Sequence, residues 1–526
     1  MLDLKQTSCC RYSSSVGSNL VGIGFADRVR THILGVRGSG LSALLFAGML
    51  LGSAGQARAV DDQQPNAQQA KVKKTTHADK KAKSVTEARA KARPVTRTPA
   101  PPVNSEIARL QAIEAELGWR GWAIDHPVFY DSLLMDAGGW RSKLAEYGIG
   151  LIFLEGGVGA ANVLNTPRTT NGQQTYWGQK PSGYNLAYGL LTVDMSKYGI
   201  DGGMIQAAGV FFDSSFQTYT PTAITLSALE WRQKLFNDKV VLAFGLMNLG
   251  EDFAGTLVGG SLFSPFGVYS SILPANGAAV SPLNNPAVEV TWNITDRIYT
   301  IAAVGRSTNP AGPIADLASN PAQTIAFPTG TGQRAVVMNE WGYKQQAAPN
   351  TPYLWARVGG IYNNSPYTDF INLATAGTSE TMGMYAIVDY QFMQFDPTSP
   401  TMAYRGMYVG GSFNYGPPDT NLFSQYYEAR YYIKGPWASR PGDMFSLVYS
   451  HIGISKDFAN FTNMLAPVTE TFAPAGVNNV TVTYTYRVAA GVYVTGGLGY
   501  TDKPAIPFTK DTGSALNLLG AVTLIF

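Results

Sequence analysis

From Thr481 to Val488 the side chains alternate without a break. Val482, Tyr484, Tyr486 and Val488 share one face, and Thr481, Thr483, Thr485 and Arg487 share the other. A tight turn over Ala489 to Gly491 follows, and the next segment repeats the arrangement. There Val492, Val494, Leu498 and Tyr500 stand opposite Tyr493, Thr495, Gly497 and Gly499. A period of two belongs to a β-strand, because the faces of a helix recur every 3.6 residues. Segments of similar length at 184–194, 203–213, 224–235, 239–248, 286–294, 298–306, 335–344, 353–362, 381–392, 404–415, 424–433 and 443–452 fit the same template. Weaker candidates lie at 149–158 and 467–473, and a last strand ends the chain at Phe526. The pattern predicts about sixteen strands, each long enough to cross a bilayer at a tilt.

A soluble sandwich also alternates, so the chemistry of the two faces has to decide. In Ala228 to Leu235, Glu230, Arg232 and Lys234 share a face, while Leu229, Trp231 and Leu235 take the other, interrupted by Gln233. In Gln425 to Ile433, Glu428, Arg430 and Tyr432 oppose Tyr427, Ala429, Tyr431 and Ile433. A cation on a lipid-facing surface costs about 2–4 kcal/mol at the midplane, a cost that pointing inward avoids. Charges gathered on an inner face imply a wet interior. Composition agrees: only 14% of the 526 residues are charged, with 56 Gly, 28 Tyr and 24 Phe, and a mean hydropathy of −0.04 is far from that of a helical membrane protein. The expected fold is all-β: a transmembrane, antiparallel, up-and-down β-barrel of about sixteen strands, enclosing an aqueous channel. The strand at Leu516 to Phe526, with Val522, Leu524 and Phe526 in register, would pair with the first strand and remove the exposed edges.

The first part of the chain reads differently. Arg28, Arg30 and Arg37 precede the apolar run Leu41 to Gly52, and small residues follow up to Ala57-Arg58-Ala59. That is the pattern of a cleaved secretory signal over 1–59; the apolar run is too short for a spanning helix. Residues 60–105 form a basic linker that lacks the apolar surface to fold. It holds 10 Lys+Arg against 4 Asp+Glu, a net of +6, whereas 106–526 holds 23 against 30, a net of −7. The chain's +3 therefore averages a basic tail and an acidic body. Residues 106–118 read as a short amphipathic, periplasmic helix with Ile107, Leu110, Ile113 and Leu117 on one side. Its partner is the barrel wall, the pore mouth or another copy of itself. The barrel domain is expected over 138–526.

Enzymatic chemistry finds little to stand on. Cys9 and Cys10 are the only cysteines and fall within the expected leader, and no His-Glu-x-x-His, Gly-x-Ser-x-Gly or P-loop motif is present. No catalytic residue, cofactor or metal is expected. His451 beside Ser450 is the one His–Ser pair in the strand region that a rim hydrolase would require.

Several short motifs add a family resemblance. Gly138-Gly139-Trp140-Arg141, then Leu144 and Gly148-Ile149, resembles the opening segment of the OprB-type carbohydrate-selective porins. Glu230-Trp231 to Asp252-Phe253, Gly435-Pro436 with Arg440-Pro441-Gly442-Asp443, and Tyr500-Thr-Asp-Lys-Pro504 are similar to further blocks of that family. The resemblance implies an outer-membrane porin in which mono- or oligosaccharides or polyols diffuse passively, without cofactor. The lumen-facing candidates for substrate contact are Glu230, Arg232, Lys234, Glu289, Glu428, Arg430 and Arg487, since guanidinium and carboxylate groups offer fixed donors and acceptors to sugar hydroxyls. The competing expectation for each is an ion pair that holds the wall or an inward loop in place. Arg141 reads as part of the barrel floor. The long segments 254–285 and 307–333 read as extracellular loops, either of them long enough to fold into the mouth and narrow it. Replacing Arg430 or Glu230 by Ala is expected to alter selectivity with folding intact. Sugars, outer-membrane lipid and, through the basic tail, peptidoglycan are the expected partners, with no nucleic acid; the oligomeric state is left open. The alternative function is a structural barrel tethered to the cell wall by that tail.

Overall fold

The computed structural model describes residues 105–123, 127–164, 174–216, 222–256, 272–280, 283–312, 315–316, 332–372, 375–469, 472–504 and 513–526. The expected leader and nearly all of the basic stretch lie outside these. Two helices come first, α1 (Ser105–Leu117) and α2 (Trp140–Glu146). Sixteen strands follow: β1 (Ile149–Asn162), β2 (Ser182–Asp194), β3 (Gly203–Ser214), β4 (Ala223–Leu235), β5 (Val240–Met247), β6 (Asn285–Asn293), β7 (Ile298–Arg306) and β8 (Ala335–Gln345), then β9 (Leu354–Thr368), β10 (Thr378–Gln394), β11 (Gly406–Tyr415), β12 (Phe423–Lys434), β13 (Met444–Ile454), β14 (Gly476–Ala489), β15 (Val492–Thr501) and β16 (Ala515–Ile525). The helical turns α3 (Leu249–Asp252) and α4 (Ile272–Ala275) lie between β5 and β6, and α5 (Lys456–Thr469) lies between β13 and β14.

Every strand pairs antiparallel with its neighbours in sequence, and β16 pairs with β1 from Leu154↔Ile525 to Asn162↔Asn517. Phe526 and Phe153 exchange backbone hydrogen bonds at 2.8 and 3.2 Å, so the last residue of the chain closes the ring. The sheet has no free edge, the condition for placing strands in lipid. The alternation read from the sequence is carried by burial. Along β10, Met382, Met384, Val388, Tyr390 and Phe392 are exposed on the outside while Thr381, Tyr385, Asp389 and Gln391 are buried on the inside. Connections such as 236–239 and 490–491 are tight at one end of the barrel, and 163–181, 248–284, 307–334 and 455–475 are long at the other. Short periplasmic turns and long outer loops are the rule for such barrels, so the start of β1 and the end of β16 lie at the periplasmic end. Tyr198, Phe236, Trp292 and Trp341 ring the outside of the short-turn end, and Phe211, Phe413 and Tyr500 that of the loop end, as in aromatic girdles.

Two expectations need correcting. The candidate strand at 467–473 is instead the end of α5 and the chain after it. Ser455 caps α5 by accepting from the N–H groups of Asp457 and Phe458 (3.2 and 3.1 Å), and Phe458 packs on Phe370 across the loop end. A mixed segment this short is compatible with either period, and the capped helix that runs into it decides it. The interior is also less wet than a charge-lined face implies. The inner face of β1 to β3 is apolar, with Ile152, Leu154, Leu186, Leu190, Val210 and Phe212 all buried against Leu110 and Leu117 of α1 and Trp119. This explains why β1 reads as a weak strand in the sequence, because its inner face is apolar and its outer face carries Glu155 beside Phe153. It also settles the partner of α1, which packs at the barrel's periplasmic end.

The opening motif is the floor of this end. Arg141, buried in α2, donates to the carbonyls of Met135 (2.6 Å) and Leu151 and lies over the rings of Trp140 and Phe129. Burial lowers its pKa to about 10, against the pull of Glu114 and Asp136. Asp136 accepts from the N–H groups of Arg141 (2.9 Å) and Ser142 (3.1 Å), from the Ser142 hydroxyl (2.5 Å) and from Arg109 of α1 (2.7 Å). Burial raises its pKa, but these donors more than offset it, and the carboxyl ends below its ordinary 3.8. A depressed carboxyl stabilises docking at pH values above its unfolded pKa, and the contribution is lost as pH falls through the folded one. The tryptophan emission of the detergent-folded protein is therefore expected to stay constant from pH 7 to about 4 and to shift red below that. The Asp136→Asn variant should show the shifted emission already at pH 7. Constant emission down to about pH 2 would contradict this role.

Candidate functional site: a charged belt inside the barrel

The loop between β5 and β6 turns into the barrel rather than away from it. Leu249, Phe253, Ala254, Ile272 and Leu273 pack on inward residues of β5, β7, β8, β9 and β10, among them Met247, Ala303, Met338, Ile361 and Tyr385. Its polar groups are pinned as well. Ala254 N–H donates to Glu340 on β8 (2.9 Å), and Gly255 C=O accepts from Arg357 on β9. Nearer the mouth, Asn276 is held by Thr381 (2.7 Å), Asn363 (2.8 Å) and Asn421 (2.8 Å). The described part of the 254–285 segment thus narrows the lumen, as one of the two long segments was expected to. Most of 307–333 lies outside the described residues.

Below this loop, five of the seven expected residues fall into two clusters. On the β4–β6 side, Arg232 contacts three carboxylates: Glu230 at 2.9 Å, Asp252 of α3 at 2.8 Å and Glu289 of β6 at 3.4 Å. Gln206 on β3 donates to Glu230 at 3.0 Å. On the β9–β12 side, Asp389 lies between two guanidinium groups, Arg357 at 3.1 Å and Arg430 at 3.2 Å, and Arg430 also meets Glu428 at 2.6 Å. Tyr426 donates to Glu428, Tyr432 donates to Asp389 (3.2 Å), and Ser412 accepts from Arg430 (2.6 Å). Gly410 opens the space for this cluster, since a Cβ there would stand 2.5 Å from Asp389 Oδ1 and 2.7 Å from Arg430 Nε. β4 and β12 lie eight places apart in a ring of sixteen, so the clusters face each other from opposite walls.

The remaining two residues stand apart from the belt. Lys234 is at the periplasmic rim, partly exposed and paired with Asp238 in the β4–β5 turn (2.8 Å). Arg487 holds Asp131 at 2.6 Å, and Asp131 also accepts from Tyr493 and from Gly491 N–H at 3.1 Å. The nearby Arg440–Asp443 pair (2.6 Å) of the Gly435 to Asp443 motif binds that turn, with Asp443 also accepting from Tyr484 at 2.6 Å. The candidates omitted Arg357, Asp389, Asp252 and Glu340. Arg357, Asp389 and Glu340 were each visible as a charge on the inner register of a strand already recognised; Asp252 sits in a turn where no period points inward.

All the charges of the belt are 6% exposed or less, which revises the expectation that Arg430 or Glu230 can be removed with folding intact. A buried charge without its partner is destabilising, so these residues hold the wall as well as line it. Ser450 and His451 point to opposite faces of β13. Ser450 is buried inside, and His451 lies outside on Asn478 (2.9 Å) and the ring of Tyr427. They form no catalytic pair. Among the described residues no group of three or more His, Cys, Asp or Glu side chains has the geometry to hold a metal ion.

A closed sixteen-stranded barrel with an inward loop and a charged belt defines a porin-type channel of the outer membrane. Residues 168–516 match the carbohydrate-selective porin, OprB family, and the chain belongs to it. Among solved structures, Pseudomonas putida OprB at high pH is similar at 16% identity, with a TM-score of 0.62, covering 77% of this chain and 98% of that one. A mutant of the Rh. blastica porin shares 12% identity over 72% of this chain and 100% of its own, with a TM-score of 0.38. A loop-deleted OmpT of Vibrio cholerae shares 11% over 72% and 99%, with a TM-score of 0.41. No curated protein matches the sequence.

Proposed function

We propose that this chain is a passive, non-enzymatic channel through which mono- and oligosaccharides or polyols diffuse down their gradients into the periplasm. The observation that carries the reading is the pair of opposed clusters, Glu230–Arg232–Glu289 and Glu428–Arg430 with Asp389, inside a barrel of this family. Both clusters are nearly buried, so a passing sugar meets only the edges of guanidinium donors and carboxylate acceptors held in fixed directions. A sugar hydroxyl can exchange water for such groups at a net gain of about 0.5–1.5 kcal/mol per hydrogen bond. That is weak enough for release, which conduction requires. Lys234 and Arg487, at the periplasmic rim, stand where a solute leaves.

Liposome swelling tests this. Vesicles carrying the protein should swell in isotonic pentose or hexose and progressively more slowly as the sugar lengthens. Equal rates for neutral sugars and for amino acids of the same size would remove the carbohydrate preference. Export through a leader cleaved after Ala59 is part of the same proposal, and the N-terminal sequence of the membrane-inserted protein checks it. A second role has its own observation. α1, which begins at Ser105 where the basic stretch ends, sits at the periplasmic end of the barrel. Contact between that stretch and an anionic wall polymer would tether the barrel, and co-sedimentation with purified peptidoglycan at low and high salt measures it.

A further inference from the structure

After α1 the chain enters the barrel, and residues 118–123 run from one wall toward the opposite one. It starts on the β2–β3 wall. There Thr192 donates to the carbonyl of Leu117, and the Gln206 amide clasps Arg120 on both sides, accepting from its N–H at 3.2 Å and donating to its C=O at 2.9 Å. One residue later, Gly121 lies against the guanidinium of Arg232 on β4. A Cβ at that position would collide with the guanidinium nitrogens, and its φ of +109° is one that L side chains rarely adopt. Ala123 then donates its N–H to Glu251 C=O of α3 at 2.7 Å and packs against the cluster of Trp355, Tyr408 and Tyr432 on β9, β11 and β12. Trp122 leans on Tyr188 and on Trp119, with ring centroids 5.8 and 5.4 Å away. By Phe129 the chain is back against α1, its N–H donating to Glu114 at 2.8 Å, and Asp131 anchors it to Arg487 beyond.

A segment that served only to cover the apolar face of β1 to β3 would stay on that wall. This one meets β4, the inward loop and the far wall, and the first two of those contacts are made by backbone or by a missing Cβ. We propose that the described residues 118–123, held on their return side by Phe129 and Asp131, are the size-selecting element of the channel, a strap fixed across the lumen between the charged cluster at Arg232 and the aromatic cluster at Tyr432. The proposal rests on the diffusion reading above. The wall fixes the barrel's width, and the opening left beside the strap sets the largest solute that passes. Gly121 is the position that lets the strap lie against the charged belt.

The test uses the full-length protein folded into planar bilayers, comparing the parent with Gly121→Val and Trp122→Ala. The first adds side-chain carbons where the guanidinium stands; the second removes an aromatic contact without adding bulk, and so serves if the first does not fold. Folding is checked by heat-modifiable migration on gels. Each folded variant is expected to raise single-channel conductance at least about twofold, because current follows the open cross-section. Each should also admit polyethylene glycols larger than those the parent admits. Folded variants with the parent's conductance and the parent's size limit would overturn the strap as the selecting element. A parent that conducts no current while the variants conduct would leave the strap in place as a closure and would overturn the diffusion reading instead. If neither parent nor variants conduct, both fall.

Discussion

Replacing Arg232 by Met is expected to destabilise the folded barrel by about 3–5 kcal/mol, the usual cost of removing one partner from a buried ion pair. The side chain is 5% exposed and is the shared counter-charge of Glu230, Asp252 and Glu289, which come from two strands and the inward loop. Methionine keeps most of the volume, so the loss isolates charge from packing. Three carboxylates would then face one another in the absence of a cation, and the cheapest relief is to release α3 from the wall. The variant should therefore unfold at a lower urea concentration, and its channel should become markedly more cation-selective in a salt gradient. An unchanged midpoint together with an unchanged reversal potential would remove Arg232 from the centre of the belt.

Asp389→Asn is expected to shift ion selectivity with the opposite sign. Asp389 holds Arg357 at 3.1 Å and Arg430 at 3.2 Å from opposite sides and accepts from Tyr432 as well. The amide fits the same space but supplies no charge and only one acceptor oxygen. Among the described residues, Glu428 on Arg430 would be the remaining carboxylate paired with these two guanidinium groups. A destabilisation in the same range of about 3–5 kcal/mol follows from the unpaired buried charge. Selectivity should shift toward anions, and the concentration of sugar that half-blocks the current should change severalfold. The two variants are most informative together, because a general loosening of the barrel would move both reversal potentials the same way.

The barrel was legible because lipid enforces a strict period. Each strand has to present an apolar face outward and its polar groups inward, and so Glu230, Arg232, Glu289, Glu428 and Arg430 could be assigned to the inner face from alternation alone. The closing strand was legible for the same reason. What alternation could not reveal was anything that folds inside. The apolar inner face of β1 to β3 reads as an irregular strand until α1 and Trp119 are placed against it. The inward loop has no period, so the pairing of Asp252 with Arg232 or of Gly255 with Arg357 leaves no trace in the spacing. Gly121 looks like any loop glycine. The misread segment at 467–473 shows the same limit: once the chain leaves the membrane, a short mixed segment fits helix or strand, and the helix capped by Ser455 is what distinguishes them.

The central claim is that a sugar passes through this lumen in contact with its charged belt. Single-channel recording in planar bilayers, with and without neutral mono- and disaccharides, tests it most directly. The account predicts stable open channels whose current falls as sugar is added, saturably, and with a half-blocking concentration altered in Asp389→Asn. A folded barrel that opens no channels, or one whose current is indifferent to every sugar tried, would contradict it.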